Sequence, residues 1–337
     1  MAPLELRARA AGEVEIFETA PRDPGSGEAR IAVERCGICG SDLHWFTARQ
    51  SLPTVCPGHE ISGVVEALGR DVRGWSEGDR VTIEPIVRCG ACDYCRRGDY
   101  HLCSRIQFYG VTLPGGMATS VVVPAYTLFK LPAAVDFELG ALTEPTAVTV
   151  HALRLGGVKK GSRVLVLGAG TIGQLAAASA RHLGADSVAI TARHAHQREA
   201  AQRLGCDQVL DPERAAELDP RPHVVIETVG GTAETLGDGI DAVARGGSVI
   251  VVGLFDHAPR FDALKTLLKE VHVVGSMVYN RPGKTADFDA ALEILADRGE
   301  DLRHLVTHVF PLASAQRAFE TAADKTTGAV KVLLQPS

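Results

Sequence analysis

The sequence predicts an α/β protein: a mostly β, irregular first domain followed by a parallel sheet with helices on both faces. Three observations predict it. The first 145 or so residues are rich in Gly, Pro and Val, with short β-type runs broken by turns. From Arg163 onward, apolar β runs alternate with helical periods of roughly 10 to 15 residues, the pattern of a doubly wound parallel sheet. At the first junction of strand and helix stands a glycine-rich loop, GAGTIG. With 337 residues, 45% of them hydrophobic, the chain is long enough to bury two cores.

In the first domain the β runs are RIAVERC, ISGVVEAL, DRVTIEP and SVVVPAYTLFKL, separated by turn signals such as Pro57-Gly58 and the GWSEGD stretch around Gly78. The second reads RVLVL, a helix from about Thr171 to Leu183, SVAIT, a helix through Arg198 to Leu204, then HVVIETVG, GSVIVVG and VHVVGS. After about Asn280 come two helical patterns, FDAALEILADR and ASAQRAFETA, and a last strand VKVLL, which we expect to return to the first domain. The expected boundaries are therefore 1–146 with 281–337, and 147–280. No internal repeat or low-complexity segment is visible.

Charge and hydropathy exclude several classes. A net charge of −6, with scattered basic residues, offers no footprint for a nucleic acid. No run approaches the roughly 18 apolar residues of a membrane span, and the N-terminus lacks the apolar core and cleavage site of a signal peptide. A soluble, unexported protein, cytoplasmic and without a nucleic-acid or membrane partner, is the expectation.

Four of the eight cysteines fall within fifteen residues, as C-x2-C-x2-C-x7-C: Cys89, Cys92, Cys95 and Cys103. Short chelate loops with intervening glycine bring four sulfurs to one point, which suits a tetrahedral structural zinc. An iron–sulfur cluster shares the first spacings, but its fourth is short and followed by Pro, whereas here it is seven residues followed by Ser104. Disulfides are the other alternative. With no open coordination position, such a zinc would stabilise a lobe and do no chemistry.

A second constellation is CGICGSDLHW followed, twenty residues after Cys39, by PGHE. Cys39, His59 and Glu60 offer a thiolate, an imidazole and a carboxylate, three ligand types that suit zinc, although each alone also reads as a core or surface residue.

Taken in order, GICGSDLH, GHE, the four-cysteine lobe, the segment EPTAVTVHA at Glu144 and GAGTIG resemble the zinc-containing medium-chain dehydrogenase/reductase superfamily, and within it the polyol and threonine dehydrogenase branch. The resemblance spans nearly the whole chain. It implies a GroES-like β catalytic domain beside a Rossmann domain, with the active site in the cleft between them. It also makes Cys39, His59 and Glu60 the ligands of a catalytic zinc, a second one per chain, and puts Glu144 where related enzymes place a further ligand or a water-holding carboxylate. Zinc with one thiolate, one carboxylate and a neutral imidazole is formally neutral, and adding Glu144 directly would make the set anionic and blunt its Lewis acidity. Glu144 is therefore expected to act through a water, or to exchange with Glu60 or substrate. By the same resemblance Asp42 would hold His59 through its other ring nitrogen, while Ser41 and His44 would relay a proton to solvent.

In RVLVLGAGTIGQLAAA, the residues Gly168, Gly170, Thr171, Ile172 and Gly173 end a β run and open an amphipathic helix, where glycines permit a tight turn and close approach of a pyrophosphate. An NAD site usually places Asp or Glu at the end of the second strand. Here SVAIT runs into Ala192 and Arg193, with Arg198 close behind. A small residue followed by arginine makes room for a 2′-phosphate and pairs with it, so NADP is the expected cofactor; the alternative is that both arginines are merely solvated.

The implied function is hydride transfer between NADP(H) and an alcohol/carbonyl pair, in the reducing direction. Reduction of an activated C=C or C=N bond, and a non-catalytic NADPH-binding sensor, are the rivals. Trp45, Phe46, Phe108, Tyr109, Leu254 and Tyr279 are pocket candidates, though aromatic residues are as often core. Val278 stands where polyol dehydrogenases carry a substrate-touching arginine, which weakens the case for sorbitol-like substrates.

Overall fold

The computed structural model describes residues 2–281 and 285–336, which form two compact units. The first comprises the chain through Glu144, together with Arg281–Gly299 and the residues from Val306; the second comprises Pro145–Asn280 and Glu300–Leu305. The division at 300–305 follows a break in the helix Asp287–Leu302, where Arg298 leaves helical geometry at φ −120°.

The first unit is built on a twisted sheet ordered Val306–Pro311, Lys331–Gln335, Glu28–Gly37, Glu60–Leu68, Arg80–Ile83 and Leu128–Lys130, with Ser120–Pro124 also pairing the Glu28–Gly37 strand. Alternation explains why EARIAVERCG becomes its central strand: Ala29, Ile31 and Val33 all point into the core, and the residues between them are more exposed. The last strand, Lys331–Gln335, lies antiparallel to it, pairing Leu333 with Gly37 and Leu334 with Cys36. Glu60, at the start of its own strand, pairs with Gly37 from the other side. Two neighbours of Gly37 in the sheet thus come from positions some 270 residues apart.

The helix Gly40–Phe46 follows directly on the central strand and is fixed by an aromatic cluster. Phe319, on the helix Ala315–Ala323, packs with ring centroids 5.1 Å from Trp45 and 5.0 Å from Phe46. All three rings are buried, so Trp45 and Phe46 are core residues rather than pocket walls.

The second unit holds six parallel strands in the order Gln208–Leu210, Ser187–Thr191, Arg163–Leu167, Val224–Glu227, Ser248–Val251 and His272–Gly275. Numbered along the chain this is 3-2-1-4-5-6, the doubly wound order that places a ligand crevice beyond the carboxyl end of the first strand. RVLVL, SVAIT and VVIE are buried nearly end to end, because helices cover both faces of a parallel sheet. The glycine loop leads into the helix Thr171–His182, whose Gly173 to Ala180 stretch is buried. No helix among the described residues is long and apolar enough to cross a membrane.

The aromatic cluster gives a direct test. Phe319→Ala is expected to cost about 3 to 5 kcal/mol of stability, measured by denaturant unfolding, because the cavity opens between two helices that cannot both collapse into it.

Candidate metal and cofactor sites

The four-cysteine lobe converges as its spacing requires. Cys92 opens the short helix Asp93–Arg97, and the ligand atoms of Cys89, Cys92, Cys95 and Cys103 lie within 4.8 Å of one another. Sγ separations are 3.9 Å for Cys89 to Cys95 and 3.8 Å for Cys92 to Cys103. A tetrahedron with zinc–sulfur arms of about 2.3 Å has edges of about 3.8 Å, whereas a disulfide needs about 2.05 Å. Backbone N–H groups point at the sulfurs: Cys89 N and Arg105 N donate to Cys103 Sγ, and Cys92 N donates to Cys89 Sγ, each at 3.4 Å. Such N–H groups, from Ala91 and Cys92, lower the Cys89 thiol to about 5.

The lobe is moored to the sheet by a buried carboxyl group. Tyr100 donates a short hydrogen bond from its hydroxyl to Glu84 Oε1, and the Arg88 guanidinium lies 4.7 Å from the Tyr100 ring centre and 5.1 Å from that of Tyr126. Burial pushes Glu84 up to about 7, against the pull of Tyr100 and Arg88.

The second cluster is assembled by the sheet. Cys39 caps the helix Gly40–Phe46, and His59 and Glu60 enter the strand Glu60–Leu68; the three ligand atoms lie within 4.8 Å of one another. His59 and Glu60 are buried and Cys39 half-buried. Burial disfavours charge on the His59 ring, yet Cys39, Asp42 and Glu144 outweigh it and hold its pKa well above the ordinary histidine value. Such a surplus of negative charge around a soft thiolate, a borderline imidazole and a hard carboxylate fits a divalent cation such as zinc.

Asp42 is placed differently from expectation. Its carboxylate accepts the backbone N–H of Cys39 at 2.9 Å, while His59 Nδ1 has no hydrogen-bond partner among the described residues. An acidic residue at the third position of a helix reaches back to the free N–H at its start, and that local bond has captured Asp42. Asp42 therefore fixes the backbone of Cys39 instead of the His59 ring. Phe108 takes an edge-on position against His59, with centroids 5.6 Å apart. Ser41 and His44 are half-buried on one face of the same short helix. Glu144 is buried at the start of the helix Thr143–Leu155, close enough for its charge to act on His59 and Lys331, but it does not join the three converging donors.

One partner carried no sequence signal. Lys331 Nζ donates to both Glu60 oxygens, at 2.7 and 2.6 Å, and to the Ile38 carbonyl at 3.1 Å. Lysine 3% exposed against glutamate 1% exposed makes this an ion pair of the interior.

In the second unit the glycine loop is pinned on both sides. Gly168 takes φ +96°, and its N–H donates to Thr191 Oγ1 at 2.9 Å. The Thr228 hydroxyl donates to Leu167 O at 2.8 Å. A Cβ on Gly173 would stand 1.9 Å from Gly168 O, so only glycine lets the helix begin this close to the strand. Thr171 and Ile172, half-buried, form the helix start, with Gly170 at its N-cap. The loop after Val224–Glu227 is drawn in by Glu227, whose Oε1 accepts from Val229 N, Gly230 N and the Thr235 hydroxyl at 2.8, 3.0 and 2.7 Å. Thr191, Thr228 and Glu227 were not singled out from sequence, since a threonine or glutamate at a strand end has no distinguishing spacing.

At the end of the second strand Ala192 is buried and Arg193 exposed. Arg198 is engaged in an ion pair with Asp211, at the end of the adjacent strand. Of the other pocket candidates, Tyr109 and Tyr279 are buried and Leu254 is exposed. Val278 sits at φ +44°, a region a β-branched residue rarely adopts.

Comparison with known proteins agrees with this layout. The Alcohol dehydrogenase GroES-like domain family matches residues 25–133, and the Zinc-binding dehydrogenase family matches residues 171–297. The chain belongs to the zinc-containing alcohol dehydrogenase family. Among its relatives are the 2-dehydro-3-deoxy-L-galactonate 5-dehydrogenase of Pseudoalteromonas atlantica, 37% identical over 88% of each chain, and human sorbitol dehydrogenase, 34% identical over 94% of this chain and 92% of that one. These place it in the polyol dehydrogenase-like branch. A crystal structure of a zinc-binding dehydrogenase from Sinorhizobium meliloti, bound to NADP, superposes with a TM-score of 0.90 at 30% identity and full coverage of both chains. Galactitol-1-phosphate dehydrogenase from Escherichia coli gives 0.90 at 28% identity over 99% of this chain and all of that one. This alcohol dehydrogenase relative is thus a zinc-dependent oxidoreductase with a GroES-like and a Rossmann domain.

The Glu84 mooring predicts a pH dependence. Its folded pKa lies above its ordinary value, so between about pH 4.5 and 7 the folded state holds a proton that the unfolded state releases, and stability falls as pH rises through that window. Glu84→Gln keeps an acceptor for Tyr100 and removes the charge. Its unfolding free energy at pH 8 should exceed that of the wild type by up to about 3 kcal/mol, with little gain at pH 4; equal differences at both pH values would refute the assignment.

Proposed function

We propose that this chain transfers hydride between NADP(H) and an alcohol/carbonyl pair, acting in the cell as a carbonyl reductase. The observation that carries the cofactor assignment is the buried Ala192 followed by the exposed Arg193 at the end of Ser187–Thr191. No carboxylate stands there to bind ribose hydroxyls or to repel a 2′-phosphate, and a guanidinium is open to pair with one. The NADP found in the Sinorhizobium meliloti relative supports the reading. Arg198 contributes less than its spacing suggests, because Asp211 already neutralises it. Gly168, Gly170 and Gly173 leave the helix start open to the pyrophosphate, and Thr171 and Ile172 present its first N–H groups.

Cys39 and His59 would hold the catalytic zinc with Glu60 or Glu144, and zinc bound there polarises a carbonyl or eases ionisation of an alcohol. Asp42 fixes the backbone of Cys39, and Phe108 limits how the His59 ring can turn. Ser41 and His44, half-buried on the helix Gly40–Phe46, would carry a proton between substrate and solvent. Cys89, Cys92, Cys95 and Cys103 would hold the second, structural zinc.

A cytoplasmic setting is consistent with thiols kept reduced for metal binding. Assembly as a homodimer or homotetramer would cover the exposed Leu264, Leu267 and Leu268 beside the edge strand His272–Gly275.

Two measurements test the proposal. Elemental analysis of the purified protein should find about two zinc ions per chain, falling to about one in Cys39→Ala; an unchanged content in that variant removes the catalytic site. For the cofactor, one charge-assisted bond of about 1.5 to 3 kcal/mol predicts roughly a ten- to hundredfold preference for NADPH over NADH in kcat/KM. Ala192→Asp with Arg193→Leu should reverse the order, whereas Arg198→Ala should change it little. Equal values in the wild type would mean that the 2′-phosphate is not read at this strand end.

A further inference from the structure

The Lys331–Glu60 pair lies at a point where three strands meet. Gly37, in the central strand, pairs with Glu60 on one side and with Leu333 of the Lys331–Gln335 strand on the other. A Cβ on Gly37 would fall 1.8 Å from Glu60 Oε2, so the absent side chain is what admits the carboxylate. Lys331 then takes both oxygens of that carboxylate, and its remaining donor bond goes to the carbonyl of Ile38, next to Cys39. Both charged groups are shut off from water, so neither can relax into solvent if its partner is lost.

A carboxylate gripped on both oxygens by an ammonium is a weaker metal donor than a free one, because the ammonium draws on the same negative charge and fixes both oxygens in its own direction. We propose that Lys331 is a positioning residue that restrains Glu60 from closing permanently on the catalytic metal, leaving Cys39 and His59 as the fixed anchors and one coordination position exchangeable. This rests on the reading of Cys39, His59 and Glu60 as a metal site. Lys331 also supplies a positive charge to a pocket that holds Cys39, Glu60 and Glu144. With it the metal can meet either carboxylate without the set becoming anionic. Deleting it would leave the metal as the sole cation facing Glu60.

The test uses cobalt(II) exchanged into the Cys39–His59 site of the full-length protein, whose visible absorption bands report coordination number and donor set. Lys331→Met is expected to shift those bands, to slow cobalt release to a chelator by about ten- to a hundredfold, and to lower kcat more than KM. Lys331→Arg should restore wild-type bands and release. Unchanged bands and release in Lys331→Met overturn the proposal. Should Lys331→Met fail to fold, Lys331→Gln, which keeps a donor for Glu60 and drops the charge, takes its place, and unchanged bands and release there overturn the proposal. Failure of the metal-site reading is distinct: there Cys39→Ala would leave metal content unchanged.

Discussion

Burying negative charge is the constraint around which the first unit is organised. Cys39, Asp42, Glu60 and Glu144 bring one thiol and three carboxyl groups into a region from which water is largely excluded, where an uncompensated charge costs several kcal/mol. Compensation comes from His59 and a backbone N–H for Asp42 and an ammonium for Glu60, and a bound cation would supply it for the remainder. The sheet order makes this compensation possible. Lys331 reaches Glu60 only because the last strand lies against Glu28–Gly37, and that arrangement brings the C-terminal segment into the first unit. Phe319, on the helix before that strand, in turn braces the helix that carries Ser41 and His44.

The second unit meets a different constraint, the close approach of backbone to backbone. Gly168 and Gly173 allow strand and helix to nearly touch, and Thr191 and Thr228 fix the loop from the neighbouring strand ends. Glu227 gathers the next loop with a single oxygen. Local bonds thus shape the glycine loop in advance, so that a dinucleotide would meet N–H groups already directed outward and lose less entropy in ordering them.

Much of this was legible in the sequence because its carriers are local. Alternation in RIAVERC, unbroken apolar runs in RVLVL and SVAIT, and the x2 spacings of the cysteine lobe each constrain a stretch of a few residues, and the strands and the sulfur cluster lie where those patterns put them. Long-range partners were not legible. Lys331 in VKVLL reads as the polar face of a strand, and nothing within its own segment announces a carboxylate 271 positions away. Arg198 looked available for a phosphate because Asp211 lies thirteen residues on, across a helix and a strand. Asp42 was drawn toward His59 by resemblance, yet a helix N-terminus was nearer. Trp45 and Phe46 were ambiguous until Phe319 was seen to cover them.

Lys331 removes the charge objection to direct metal binding by Glu144. From sequence, one thiolate and one carboxylate balanced a divalent cation, and a second carboxylate made the set anionic. The buried ammonium raises the positive charge by one, so that Cys39, Glu60 and Glu144 together would be matched by a zinc ion and Lys331. Charge then no longer separates the two glutamates, and geometry does. Glu60 lies within the converging donor set but has both oxygens committed to lysine, while Glu144 stands outside that set. On the reading of Cys39, His59 and Glu60 as a metal site, Lys331 would restrain one carboxylate and position would restrain the other, so that neither would be fixed as the third ligand. A coordination position kept exchangeable in this way is what a metal held there would need if substrate oxygen were to enter and leave its coordination shell at each turnover.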